Sequence, residues 1–206
     1  MLGEKLRDLG YGVDIYPEAK YYAVKMPVFS FEKLTDVDTN LGPEMKSTGE
    51  CLGLAETFPQ ALLKAFKGAS MKVPRKGSKV ILTVKDQDKE EVAELAKEMV
   101  ELGMELYATS GTHAYLSQRN VQVKLVERLG NAHPNIEDMI QSGVVDMILN
   151  TPRRTQREDG DGWKIRRSAV EHSVLCLTST DTCRAILTAR KAGHSDQITP
   201  VDITTI

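Results

Sequence analysis

The chain has 206 residues, 41% of them apolar and 27% charged, and a formal net charge of −2. That length suits one full α/β domain with a smaller appendage, and the near-balanced charge excludes a global basic field for nucleic acid. The three cysteines form no CxxC pair, no apolar run spans a bilayer, and the polar start MLGEKLRDLGYG lacks a signal peptide's apolar stretch, so a soluble cytoplasmic protein with reduced thiols, touching neither membrane nor nucleic acid, is expected.

In chain order, residues 21–31 (YYAVKMPVFSF) read as extended, broken by Pro27, and residues 38–50 as turn-rich and polar. Thr57 caps a helix with Pro59 in its first turn, running to about Lys67. One or two strands and one helix make a poor core alone. Residues 1–67 therefore look like the end of a domain whose bulk lies elsewhere, and VKMPVFSF would leave apolar surface uncovered. Gly, Ser, Pro and basic residues then cluster in GASMKVPRKGS (68–78), as in a linker.

A regular alternation follows. KVILTV (79–84) predicts a buried strand, and Asp86 or Asp88 caps a helix with Val92, Leu95, Ala96, Met99 and Leu102 on one face. Gly103 stands at its C-terminal cap position. Residues 104–108 predict a second strand, with a helix from about Thr112, and residues 121–126 a third strand. His133-Pro134-Asn135 opens a short helix ending at Gly143. Residues 144–150 (VVDMILN) predict a fourth strand, followed by the polar loop TPRRTQREDGDG. A helix over 163–171, a fifth strand over 174–177 and a last helix over 181–192 complete the chain. This pattern predicts an α/β fold: a mainly parallel five-stranded sheet with helices on both faces.

In such a sheet, ligands sit beyond the carboxyl ends of the strands. Three loops converge there: Thr83, Lys85 and Lys89 after the first strand; Thr109-Ser110-Gly111-Thr112 after the second; Asn150-Thr151 after the fourth. Gly111 permits a tight turn, the hydroxyls of Thr109, Ser110 and Thr112 can donate to phosphate oxygens, and the helix start adds backbone donors. Lys89 and Arg128 supply full charges. No Lys follows the glycine, so the loop is not of Walker A type. From spacing alone, TSGT serves equally well as a plain strand-to-helix turn. His113 beside it reads as a ligand contact or an ordinary surface histidine. His133, His172 and His194 show no metal spacing, and no GxSxG elbow or Cys–His pairing is present. Arg153, Arg154, Arg157, Arg166 and Arg167 alternate with acids as on a solvated surface, although Arg153 or Arg154 could reach a ligand.

Two regions together carry a resemblance. DTNLGPEMKSTGECLG (38–53) resembles a signature of the carbamoyl-phosphate synthetase large subunit, and VFSFEKL (28–34) resembles the closing strand of its second ATP-grasp unit. ATSGT (108–112), LNT (149–151) and KIRRSAV (164–170) resemble its C-terminal regulatory domain, which is similar in fold to methylglyoxal synthase. The resemblance implies a carbamoyl-phosphate-synthesising remnant over 1–68, a linker over 69–78 and an allosteric domain over 79–206. It implies UMP as inhibitor, with IMP or phosphoribosyl pyrophosphate as activator in some members. It places their phosphate at Thr83, Lys89, Thr109, Gly111, Thr112 and Asn150, with Arg128 where some members carry Lys. Pro152 replaces a hydroxyl residue, and Thr178 matches a position near an amino-acid activator site. ATP, Mg or Mn, and K would belong to the catalytic units, and the partners would be the rest of the large subunit and a glutaminase small subunit, in pyrimidine and arginine biosynthesis.

Methylglyoxal synthase chemistry needs a carboxylate base and a histidine near the carbonyl. By the same resemblance this chain has His133 at the base position and Lys85 at the histidine position, and TPRRTQREDGDG lacks the later His/Asp pair. Binding without catalysis and without a cofactor is the expectation. A phosphate-eliminating lyase and a docking module without ligand are the alternatives.

Overall fold

A computed structural model describes residues 3–12, 14–15, 17–30, 43–152, 160–192 and 199–205. Two sheets are present among them. The first is an antiparallel pair, β1 (Tyr22–Val28) and β2 (Gly49–Ala55), followed by helix α1 (Phe58–Gly68). The second contains β3 (Lys79–Thr83), β4 (Glu105–Ala108), β5 (Lys124–Leu125), β6 (Met147–Asn150) and β7 (Leu175–Leu177), all parallel, in the order β5-β4-β3-β6-β7. Helices α2 (Lys89–Glu101), α3 (Ser110–Ser117), α4 (Ile136–Gln141), α5 (Asp161–Glu171) and α6 (Thr180–Ala192) connect or follow these strands.

Alternation along the strands builds two core layers. Val80, Leu82, Leu106, Ala108, Met147, Leu149, Leu175 and Leu177 face one side, against apolar residues of α1, α2, α3 and α6. Ile81 and Ile148 face the other, against Ile136 and Ile140 of α4 and Ile165 and Ala169 of α5. Helices thus cover both faces, as expected of an α/β fold. β6 is buried at all four positions because both faces are covered.

Several local expectations shift. The third strand shrinks to two residues, because only Lys124 and Leu125 pair with β4. α3 begins at Ser110 and α5 at Asp161, two residues earlier than expected in each case. Asp88 stands at the N-cap of α2 without a side-chain cap bond, and its carboxylate faces Lys85 Nζ at 3.5 Å. Asp86 instead faces Lys89 Nζ at 2.6 Å. Gly103 does end α2, at φ 77°, and the Met104 N–H donates to the Met99 carbonyl at 3.0 Å, closing the turn. β2 was hidden in the sequence by its small and polar residues. It forms because Gly53 lets α1 lie directly on the strand.

α1 also packs on α6, and its Leu62, Leu63 and Phe66 join the core layer of the parallel sheet. Met71 and Val73 of the segment expected as a linker pack against the same layer. Glu158, Asp159 and the arginines Arg153, Arg154 and Arg157 lie outside the described residues, as do residues 31–34 and 38–42 of the two N-terminal motifs.

All three cysteines are free. Cys183 is fully buried in α6, and burial pushes its thiol up to about 12. Burial also pushes the Cys176 thiol in β7 up to about 12. At pH 8 each is thiolate in only about one molecule in ten thousand. Both are therefore expected to resist a disulfide reagent in the native chain and to react at once in urea. Rapid native labelling of Cys176 or Cys183, located by peptide mass analysis, would contradict this.

Candidate phosphate site at the sheet edge

β3 lies between β4 and β6. From it the chain winds one way through β4 and β5, then returns to the other side for β6 and β7. Loops leaving β3 and β6 diverge at this reversal and open a crevice beyond the strand ends. A cleft of about 410 Å³ lies there.

Eight of the expected residues line it: Thr83, Lys89, Thr109, Gly111, Thr112, Arg128, Asn150 and Thr151. The pairing of Thr83 with Asn150 across β3 and β6 brings the first and third loops together. Ser110 is exposed at the start of α3 and lies outside the lining. Thr178 is exposed beyond β7, also away from the cleft. His113 and His133 are not lining residues either.

The β4–α3 connection presents the densest donors. Thr109 is extended (φ −68°, ψ 156°), and its carbonyl accepts from the His113 N–H at 2.8 Å. Thr109 and Thr112 are both buried. Gly111 sits within the first turn of α3 and needs no left-handed backbone, unlike the tight turn expected of it. A Cβ there would stand 3.5 Å from Lys89 Nζ, an ordinary contact, which places the start of α3 beside the lysine.

Lys89 comes from the first residue of α2 and is mostly buried, with 14% of its side chain exposed. Besides Asp86, its Nζ stands 5.8 Å from the Tyr115 ring, on which the Arg119 guanidinium stacks at 3.6 Å. Asp86 is 79% exposed, so solvent weakens its hold on Lys89. On the β6 side, the Lys85 backbone N–H donates to Thr151 Oγ1 at 3.1 Å, and Arg166 Nη1 donates to Asn150 Oδ1 at 2.7 Å.

Lys85, Asp86, Leu129, Ile136, Asp161, Gly162 and Ile165 also line the cleft. Of the three from α5, Asp161 and Gly162 were missed because that helix was expected to begin at Trp163, and Ile165 read as an ordinary apolar position within it. The signal was GDG (160–162), with Gly160 at the N-cap. The lining thus combines donors and cations with two carboxylates and a small apolar wall. Its chemistry favours an anion such as a phosphate ester carrying a partly apolar body. Among the described residues, no group of three or more His, Cys, Asp or Glu could hold a metal, and no helix is long and apolar enough to cross a membrane.

His133 belongs instead to the start of α4. Asn135 accepts from the Glu137 and Asp138 N–H groups, and Asp138 Oδ2 accepts from the Asn135 N–H at 2.8 Å and lies 2.6 Å from His133 Nδ1. The Asn135 backbone first, and His133 second, hold the Asp138 carboxyl below its ordinary value. A lowered native pKa gives stability above the unfolded carboxylate pKa, which is lost as pH falls through the native value. Asp138→Asn is expected to flatten the acid-side loss of stability below about pH 4, read from urea melts across pH 3–6. An unchanged acid limb would contradict it.

Residues 91–178 match the MGS-like domain family. The chain is 45% identical to the carbamoyl phosphate synthase large chain of Lachnoclostridium phytofermentans over 206 residues, which is 100% of this chain and 19% of that protein. It is 45% identical to the same protein of Clostridium perfringens (strain 13 / Type A) over 193 residues, 94% of this chain and 18% of that one. The chain spans about a fifth of the length of these relatives. Among solved structures, a methylglyoxal synthase from Elizabethkingia anophelis aligns over 55% of this chain and 78% of its own, with 21% identity and a TM-score of 0.46. Along nearly its whole length, then, the chain is about 45% identical to the C-terminal part of the carbamoyl phosphate synthase large chain, and its residues 91–178 match the MGS-like domain family.

Proposed function

We propose that the cleft is an effector site that binds the phosphate of a small regulatory ligand and performs no chemistry on it. The observation that carries this reading is the convergence of four buried hydrogen-bonding side chains, Thr109, Thr112, Asn150 and Thr151, with Lys89 and Arg128 around one opening. Set around one opening, these groups can offer hydroxyl and carboxamide donors beside two full positive charges. A phosphate, rich in acceptors and negative charge, matches this set.

In this reading the chain is the allosteric, nucleotide-sensing region of a cytoplasmic carbamoyl phosphate synthase, serving pyrimidine and arginine biosynthesis. Its partners are the remainder of the large subunit and a glutaminase small subunit, and ATP with its metal ions belongs to the catalytic units. UMP, IMP and phosphoribosyl pyrophosphate are the candidate effectors. Regulation requires that the effector bind two states of the whole enzyme with different affinity.

The lyase alternative needs a carboxylate base and a histidine beside the bound phosphate. Lys85 occupies the cleft where a histidine would serve, and His133 is turned to Asp138. Calorimetric titration of the chain with the three candidate effectors tests the proposal. Saturable binding of at least one is expected, together with no methylglyoxal formed from dihydroxyacetone phosphate. Absence of binding by all three, or clear turnover, would overturn it.

A further inference from the structure

We infer that Arg166 is a positioning residue for this site: its guanidinium fixes the Asn150 carboxamide so that the NH₂ end, rather than the carbonyl end, is offered to the ligand. The inference rests on the effector-site reading and adds a residue that does not itself line the cleft.

A carboxamide is two-faced, with an acceptor oxygen at one end and two N–H donors at the other. An asparagine facing an open cleft could present either. Arginine has donors and no acceptor, so it can engage only the oxygen end. Arg166 Nη1 donates to Asn150 Oδ1 at 2.7 Å, a charge-assisted distance. Asn150 is 4% exposed, so little water competes for that oxygen. Among the described residues no protein group accepts from its Nδ2, and Asn150 lines the cleft.

Thr151 is set the same way. Its Oγ1 already accepts from the Lys85 N–H at 3.1 Å, which leaves the hydroxyl proton free to donate. Two successive residues at the end of β6 thus have their acceptors engaged by the protein and their donors free. A ligand donor meets oxygens already engaged by the protein, whereas a phosphate can use the free donors of both residues. Arg166 sits on α5 next to Ile165 of the cleft wall, holds Asn150 Oδ1 and is not itself a lining residue.

Calorimetric titration with UMP, IMP and phosphoribosyl pyrophosphate, alongside thermal melts, tests this with four variants. Arg166→Met is expected to weaken the best of the three about tenfold, the loss of one charge-assisted orienting bond. Asn150→Ala should weaken it similarly. The double variant should bind no more weakly than Asn150→Ala alone, because Arg166 acts only through Asn150. Arg166→Lys should recover part of the loss, since one ammonium donor can still hold Oδ1.

Losses that multiply in the double variant, or an Arg166→Met chain that binds like the parent, would overturn the inference. In the second case the site reading stands; if the parent binds none of the three, the site reading falls and takes this one with it. Should Arg166→Met fail to fold, the Asn150 side-chain amide signals in the NMR spectrum of the parent decide. A shift on adding the ligand is expected, and an unmoved pair would overturn the assignment.

Discussion

Gly53→Ala is expected to destabilise the chain by about 3 kcal/mol or more, a large effect for one methyl group. An added Cβ would overlap the Ala61 carbonyl oxygen, lie 2.6 Å from Ala65 N and stand 2.9 Å from Ala65 Cβ. The first two of these atoms are backbone of α1, which cannot rotate away as a side chain can. The helix must therefore lift from β2. α1 also carries Leu62, Leu63 and Phe66 into the main core, so lifting it strains that layer as well. Urea denaturation followed by circular dichroism measures the loss. Gly49→Ala is the control: a Cβ there meets nothing within 4 Å and should change stability by under about 0.5 kcal/mol. Equal stability of the two variants would contradict the packing of α1 on β2.

The second large effect concerns binding. Lys89→Ala is expected to weaken phosphate-ligand binding by about ten- to a hundredfold, the range of a charge-assisted hydrogen bond. The ion pair Lys89–Asp86 must loosen when a ligand claims the ammonium, so Asp86 competes with the ligand. Asp86→Asn should therefore act in the opposite direction and tighten binding a few-fold, with a weaker effect at high salt. Calorimetry at two ionic strengths reads both. If Lys89→Ala binds like the parent, or if Asp86→Asn weakens binding, the lysine does not face the ligand in the manner described.

The parallel sheet was legible because its strands and helices differ in period. KVILTV and VVDMILN are apolar on both faces, whereas Val92, Leu95, Ala96 and Met99 fall on one side of a helix. Strand ends then followed, and with them the loops that meet at the cleft. The β1–β2 pair was much less legible. β2 reads GECLGLA, whose glycines and glutamate mask a strand in sequence. It depends on pairing with β1 and on α1 packing over Gly53, neither of which local pattern encodes.

The site divides along the same line. Thr109, Thr112, Lys89 and Asn150 sit at element ends, so their convergence was readable from the order of elements. Arg166 was not: it lies within α5 among mixed charges and reads as a surface residue until the 2.7 Å bond to Asn150 is seen. Ser110 differs: its hydroxyl belongs to the phosphate-friendly motif by sequence, but as the exposed first residue of α3 it lies outside the cleft lining. Asp86 and Asp88 were read as helix caps because acids favour helix starts, but lysines three residues away in each case claimed them.

The most direct test of the effector-site account is an amide ¹⁵N–¹H titration of the chain with UMP, IMP and phosphoribosyl pyrophosphate, set against uridine and inosine. The account predicts that at least one phosphate-bearing ligand shifts amides concentrated in residues 83–89, 109–112 and 150–151, and that the phosphate-free nucleosides leave them unmoved. Shifts confined to the β1–β2 pair or to the surroundings of Thr178, or equal shifts with and without the phosphate, would contradict it.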